Sequence, residues 1–170
     1  VKLGLRSVIL FGIPAAKAAL EESVRRVASI ALVHETLSMS SDEEVEFDGI
    51  LDRIAGAAGE VATIEPSVRM RREGSFGVLS AEIATSLAMV LNELLLNAVE
   101  HGFDPEHPPA EPPETVVTAH RFRKQLQITV ADNGRGLPAD FDAERNGRLG
   151  LQIVRALVAG ELRGTIELRN

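Results

Sequence analysis

An α+β fold, with helices layered on one side of a mixed sheet, is predicted by three features of this sequence. Helical and strand-like periodicities succeed one another without internal repeat, in the order helix, helix, strands, helix, strands, helix, strand. Five of the eight prolines fall between Pro105 and Pro113, where a surface loop must part the longest apolar helix from a hairpin. The 170 residues are 45% hydrophobic and 25% charged, which suffices for one domain with a core of its own.

Residues 15 to 39 read as the first helix, because Leu20, Val24, Val27, Ala31 and His34 recur at spacings of three and four beside a second row of Ile30, Val33 and Leu37. Ser38, Ser40, Ser41, Asp42, Glu43 and Glu44 form a polar break, after which Asp48 caps a second helix running to about Gly59. Two short strands are expected between Val68 and Leu79, about Gly74-Ser75. Ser80 caps the long helix, which reaches about His101. Thr115 to Phe122 and Gln125 to Ala131 form a hairpin, with Leu126, Ile128 and Val130 on its buried face. A glycine-rich loop from Asp132 to Arg148 precedes a helix from about Leu149 to Ala159, and Gly164 to Leu168 reads as a last strand.

Composition removes several function classes. The chain has no cysteine, so disulfides, thiolate metal sites and cysteine nucleophiles are excluded. A net charge of -7 disfavours extended contact with a nucleic-acid backbone, and six Phe with no Tyr or Trp leave little for base stacking. The apolar run Val8 to Ile13 is far shorter than the roughly 20 residues of a spanning helix, so a cytoplasmic chain without membrane span or direct nucleic-acid contact is expected.

Three motifs carry chemistry. On the long helix, Glu93, Asn97 and Glu100 fall within about 60° of one another, with His101 beside them, and form one polar stripe on an otherwise apolar element. Carboxylate and amide oxygens so placed suit a hard cation that keeps waters and shares phosphate oxygens; a solvent-facing stripe is the plainer alternative. Asp132-Asn133-Gly134-Arg135-Gly136 follows a strand directly. Its glycines allow close backbone approach, and the carboxylate offers an acceptor for an exocyclic amine such as adenine N6, although Asp-Asn-Gly is also a good turn sequence. Asn146-Gly147-Arg148-Leu149-Gly150-Leu151 leads into a helix whose N-terminal amides suit a polyphosphate. Neither a Rossmann fingerprint nor a Walker loop is present.

In this order the motifs resemble the ATP-binding catalytic domain of sensor histidine kinases, in the superfamily that includes gyrase B and MutL. Asn92 to Gly102 resembles the N box, Asp132 to Gly136 the G1 box, and Gly147 to Val154 the G2 box. Ser23 to Leu37, with its Ala31-Leu32-Val33-His34-Glu35 core, resembles the dimerisation helices of the soluble subgroup with a compact lid. Within it the chain is most similar to actinobacterial kinases whose response regulators are RNA-binding antiterminators. The resemblance implies a two-layer α/β sandwich of the Bergerat type with an extra N-terminal helix. It divides the chain into a leader at 1–14, a dimerisation-helix remnant at 15–41 and a catalytic domain at 45–170. It also implies ATP and Mg²⁺ as cofactors, with Asn97 as metal ligand and Glu93 and Asn97 as catalytic residues. Nucleotide contacts would come from Asn97, His101, Asp132, Gly134, Gly136, Leu137, Gly147, Leu149, Gly150 and Leu151, and position adds Arg145 and Arg148. The implied partners are a response regulator and, through the N-terminal helices, a second copy of the chain.

Three departures from the family pattern stand out. Glu100 occupies a position where many members have Lys; no phosphoacceptor histidine with its following Arg and Asn is found near the start; and the closing strand with Gly-Thr is not found before Asn170. His34 matches a position of the second dimerisation helix and reads as a packing residue. The chain is therefore expected to bind Mg·ATP without phosphorylating itself. Two alternatives share these motifs: a serine kinase of the anti-sigma-factor type, and a non-catalytic dimerisation module with a decayed pocket.

Overall fold

The computed structural model describes residues 44–61, 67–104, 109–123, 125–137 and 149–169, together with Ala31. Apart from Ala31, which is helical, the expected helix over 15–39 with His34 and the Ser23 to Leu37 match lie outside the described residues, as do Arg145, Gly147 and Arg148. The elements are β1 (Glu44–Glu46), α1 (Phe47–Val61), β2 (Arg69–Gly74), β3 (Val78–Ser80), α2 (Ala81–Asn97), a π-helical turn (Ala98–Gly102), β4 (Glu114–Phe122), β5 (Gln125–Asp132) and α3 (Leu149–Gly160).

β1 and β3 form a small antiparallel pair, with Val45 opposite Leu79. The main sheet has the order β2-β4-β5. β2 runs parallel to β4, and β4 and β5 form the expected antiparallel hairpin, with Phe122 opposite Gln125. A two-residue connection is left, and Arg123 takes the left-handed conformation such a tight turn demands, at φ 55°.

One face of the sheet is buried under helices. Phe47, Leu51 and Ile54 of α1 and Leu87, Leu91 and Leu95 of α2 pack over Val117 and Ala119 of β4, with Leu126, Ile128 and Val130 of β5 at the margin. The opposite face is polar, and its Arg69, Arg71, Glu73 and Glu114 form ion pairs with one another. This one-sided burial is the alternation seen in the sequence of β5. α3 closes the far side of α2 through Val154 and Val158 against Val90 and Leu94.

Ser80 is the N-cap of α2, its hydroxyl oxygen accepting from the Ile83 amide at 3.5 Å. Asp48 does not cap α1. The helix begins at Phe47, whose amide already donates to the Gly77 carbonyl at 3.1 Å, leaving Asp48 inside the first turn. Its carboxylate instead accepts from the Ser75 hydroxyl and the Phe76 amide, both at 2.7 Å, and holds the turn between β2 and β3. Burial opposes the ionised form of Asp48, but these two bonds and the nearby Arg72 guanidinium outweigh it and hold its pKa below the ordinary carboxylate value.

The strand expected over Gly164 to Leu168 is absent: residues 163–169 have no ladder partner. After α3 the Gly164 amide turns back to the Val158 carbonyl at 2.8 Å, and Ile166 packs on the α2–α3 cluster.

Candidate functional site

α2 supplies one wall of the site. Glu93 is only 9% exposed, although its side chain is a carboxylate, and Asn97 is the last residue of the regular helix, one turn further on. The Asn97 side-chain nitrogen is buried and has no hydrogen-bond partner among the described residues. An orphaned amide of this kind costs free energy unless a bound group meets it.

Beyond Asn97 the helix widens into the π turn, a form concentrated at functional sites. Val99 and the following Phe103 pin this turn against Val68 and Met70. Glu100 and His101 follow Asn97 within the turn, with Glu100 Oε2 3.9 Å from His101 Nε2. Along the stripe expected from the sequence, Glu93 thus lies in the interior, Asn97 is half-buried and Glu100 is exposed.

The second wall is the loop after β5. Asp132 ends the strand opposite Thr115, and its Oδ1 accepts from the Gly134 amide at 2.9 Å, closing a local turn about Asn133. Asn133 extends the ladder with its side chain: Oδ1 accepts from the Glu114 amide at 2.8 Å and Nδ2 donates to the Pro112 carbonyl at 3.0 Å. Gly136 has φ +69°, a conformation side-chain-bearing residues rarely take, and Leu137 follows it, half-buried.

The two walls touch through backbone. A Cβ on Gly134 would lie 2.1 Å from the Gly102 carbonyl oxygen, and one on Gly102 would lie 3.1 Å from Asp132 Oδ1. The Arg135 amide donates to the Gly102 carbonyl at 2.8 Å, and its Nε donates to the His101 carbonyl at 2.9 Å. Glycine is therefore required at 134, whereas a Cβ at 102 would need Asp132 Oδ1 to give by a few tenths of an ångström. Of the third motif, Leu149, Gly150 and Leu151 form the first turn of α3; Gly150 is buried and Leu149 is exposed.

Gly102, Asn133, Arg135 and Thr115 are the structural participants that motif reading alone passes over. Gly102 and Arg135 lie inside the quoted boxes, but only the fold shows that they meet. Thr115 is fully buried with an unpartnered hydroxyl, and no sequence pattern distinguishes it from Val117 two residues on.

The donor set fits a divalent cation of the Mg²⁺ kind. Such an ion takes one or two protein oxygens and fills its remaining positions with water and phosphate. Asn97 offers a carbonyl oxygen for the ion and an unpartnered N–H for a phosphate oxygen.

Comparisons with known proteins identify the family. Residues 82–170 match the family described as histidine kinase-, DNA gyrase B- and HSP90-like ATPase, and residues 11–62 match a histidine kinase family. The chain is 48% identical over 155 residues to the sensor histidine kinase PdtaS of Mycolicibacterium smegmatis, covering 91% of this chain and 30% of that protein. It is 47% identical over 152 residues to PdtaS of Mycobacterium tuberculosis, covering 89% of this chain and 30% of that protein. It thus spans about a third of the length of these relatives. The histidine kinase domain of the Erythrobacter litoralis blue-light-activated kinase superposes with a TM-score of 0.66 at 26% identity, over 81% of this chain and 64% of that one. With the match covering the helix that bears Glu93 and Asn97, the Asp132 loop and the opening of α3, the chain belongs to the histidine kinase-, gyrase B- and HSP90-like ATPase family.

Proposed function

We propose that the chain is the ATP-binding catalytic unit of a two-component sensor histidine kinase, which moves the γ-phosphoryl of ATP to a histidine and then to a response regulator. The observation that carries the assignment of roles is the buried Asn97 side-chain nitrogen, without a hydrogen-bond partner among the described residues, on a helix whose end is fastened to the Asp132 loop. In this reading Asp132 accepts from the adenine amine, and Gly134, Gly136 and Leu137 border the base. Asn97 binds the metal through its carbonyl and a phosphate oxygen through its N–H. His101, Leu149, Gly150 and Leu151 complete the nucleotide contacts, together with Arg145, Gly147 and Arg148 of the preceding loop. Mg²⁺ held at Asn97 would neutralise phosphate charge, and the buried Glu93 carboxylate stands where ATP-hydrolysing relatives keep their water-activating carboxylate. Phosphoryl transfer asks mainly for such positioning and charge compensation.

The match of residues 11–62 to a histidine kinase family overlaps the proposed dimerisation-helix remnant at 15–41 and runs into the proposed catalytic domain at 45–170, with 1–14 left as an unassigned leader. A response regulator as partner follows from this reading, the relatives being named sensor histidine kinases; a second copy of the chain at the N-terminal helices and a place in the cytoplasm belong to the same proposal.

Calorimetry with ATP, with and without Mg²⁺, on wild type and Asn97→Ala tests the roles. The variant is expected to lose about tenfold or more in affinity when Mg²⁺ is present, a charge-assisted contact being worth about 1.5–3 kcal/mol. Equal affinities would overturn the Asn97 assignment.

A further inference from the structure

We infer that Arg135 is a positioning residue for base recognition, fixing the Asp132 carboxylate against the end of α2 and thereby setting preference for a purine that bears an exocyclic amine. The inference rests on the reading of Asp132 given above and adds to it a residue that bonds to the end of α2.

The physical chain is short. A helix C-terminus leaves carbonyls without intrahelical partners and carries the negative end of the helix dipole, so a guanidinium there is favoured. Arg135 takes two successive carbonyls of the π turn, Gly102 through its amide at 2.8 Å and His101 through Nε at 2.9 Å. With Arg135 so held, Gly134 is pressed onto Gly102, where no Cβ fits, and the Gly134 amide is aimed at Asp132 Oδ1 at 2.9 Å. One carboxylate oxygen is thus occupied and the plane of the group is set. Arg135 itself is exposed, so deleting its side chain removes a tether without opening a cavity.

Affinities for ATP and for purine riboside triphosphate, which lacks the 6-amino group, are measured by calorimetry on wild type, Arg135→Ala, Arg135→Lys and Asp132→Ala, with a thermal melt of each. Wild type and Arg135→Lys are expected to prefer ATP, the lysine variant less strongly. Arg135→Ala is expected to lose about five- to tenfold of that preference, the worth of one hydrogen bond, while binding the analogue as wild type does. Loss of affinity for both nucleotides by the same factor, or an unchanged preference, would overturn the inference. Preference retained in Asp132→Ala would instead overturn the reading of Asp132 on which it rests.

Discussion

Replacing Thr115 by Val should stabilise the nucleotide-free protein. Thr115 is 0% exposed on the helix-covered face of β4, paired in register with Met70 on one side and Asp132 on the other. Its hydroxyl has no partner among the described residues. An unsatisfied buried hydroxyl costs about 1–3 kcal/mol, whereas valine keeps the β-branched shape and puts a methyl group in its place. Allowing for imperfect fit of that methyl, a gain of about 1 kcal/mol is expected, or roughly 2–4 °C in melting temperature for a chain of this size. Urea denaturation with an unchanged m-value, alongside calorimetric melts, would measure it. The converse change, Val117→Thr, introduces a hydroxyl at a buried neighbour on the same face and should cost about as much as Thr115→Val gains. A Thr115→Val variant less stable than wild type by 1 kcal/mol or more, as an order of magnitude, would refute the reasoning and show that a buried water satisfies the hydroxyl.

Other consequences are open to direct measurement. The Asp48 pKa is depressed in the folded state, so its stabilising contribution is complete above the unfolded value of 3.8 and is lost as pH falls through the lower folded value. Asp48→Asn should therefore be less stable than wild type at neutral pH, with a difference that narrows below pH 3.8 in acid denaturation series. Phe76→Ala should cost about 3–5 kcal/mol, because the ring is fully buried and packs on Phe47 at 5.2 Å between centroids. That is a large share of the roughly 5–15 kcal/mol that holds a domain together, and chemical denaturation would show the midpoint collapse.

Elements whose signals are local were legible in the sequence. Ser80 before an apolar run marks a helix start whatever surrounds it, and the alternation of Leu126, Ile128 and Val130 reports one buried face directly. The three motifs were legible as an ordered set, and the family match over residues 82–170 spans all of them. What stayed hidden depends on partners distant in sequence. Glu44 reads as the end of a polar break, yet it opens a strand because β3 lies beside it. Asp48 reads as a helix cap, yet Ser75 and Phe76 claim its carboxylate. Gly164 to Leu168 has strand-like residues but no ladder partner, and α3 takes its apolar side chain instead. The contact of Gly102 with Gly134 belongs to the same class, since each glycine alone is only a flexible residue.

The parallel pairing of β2 with β4 bears on how the site comes into being. Arg69 meets Glu114 only after the whole of α2 has crossed between them, whereas Phe122 meets Gln125 across a tight turn. A hairpin of that kind forms within about 1–10 μs, but a parallel crossover must first meet the entropy of closing a long loop. The two walls of the site stand on opposite sides of this slow step, one at the end of α2 and the other at the end of β5. Nucleotide affinity should accordingly emerge in a single late event as the chain folds, so that ATP added during refolding would capture finished molecules and leave the early hairpin untouched.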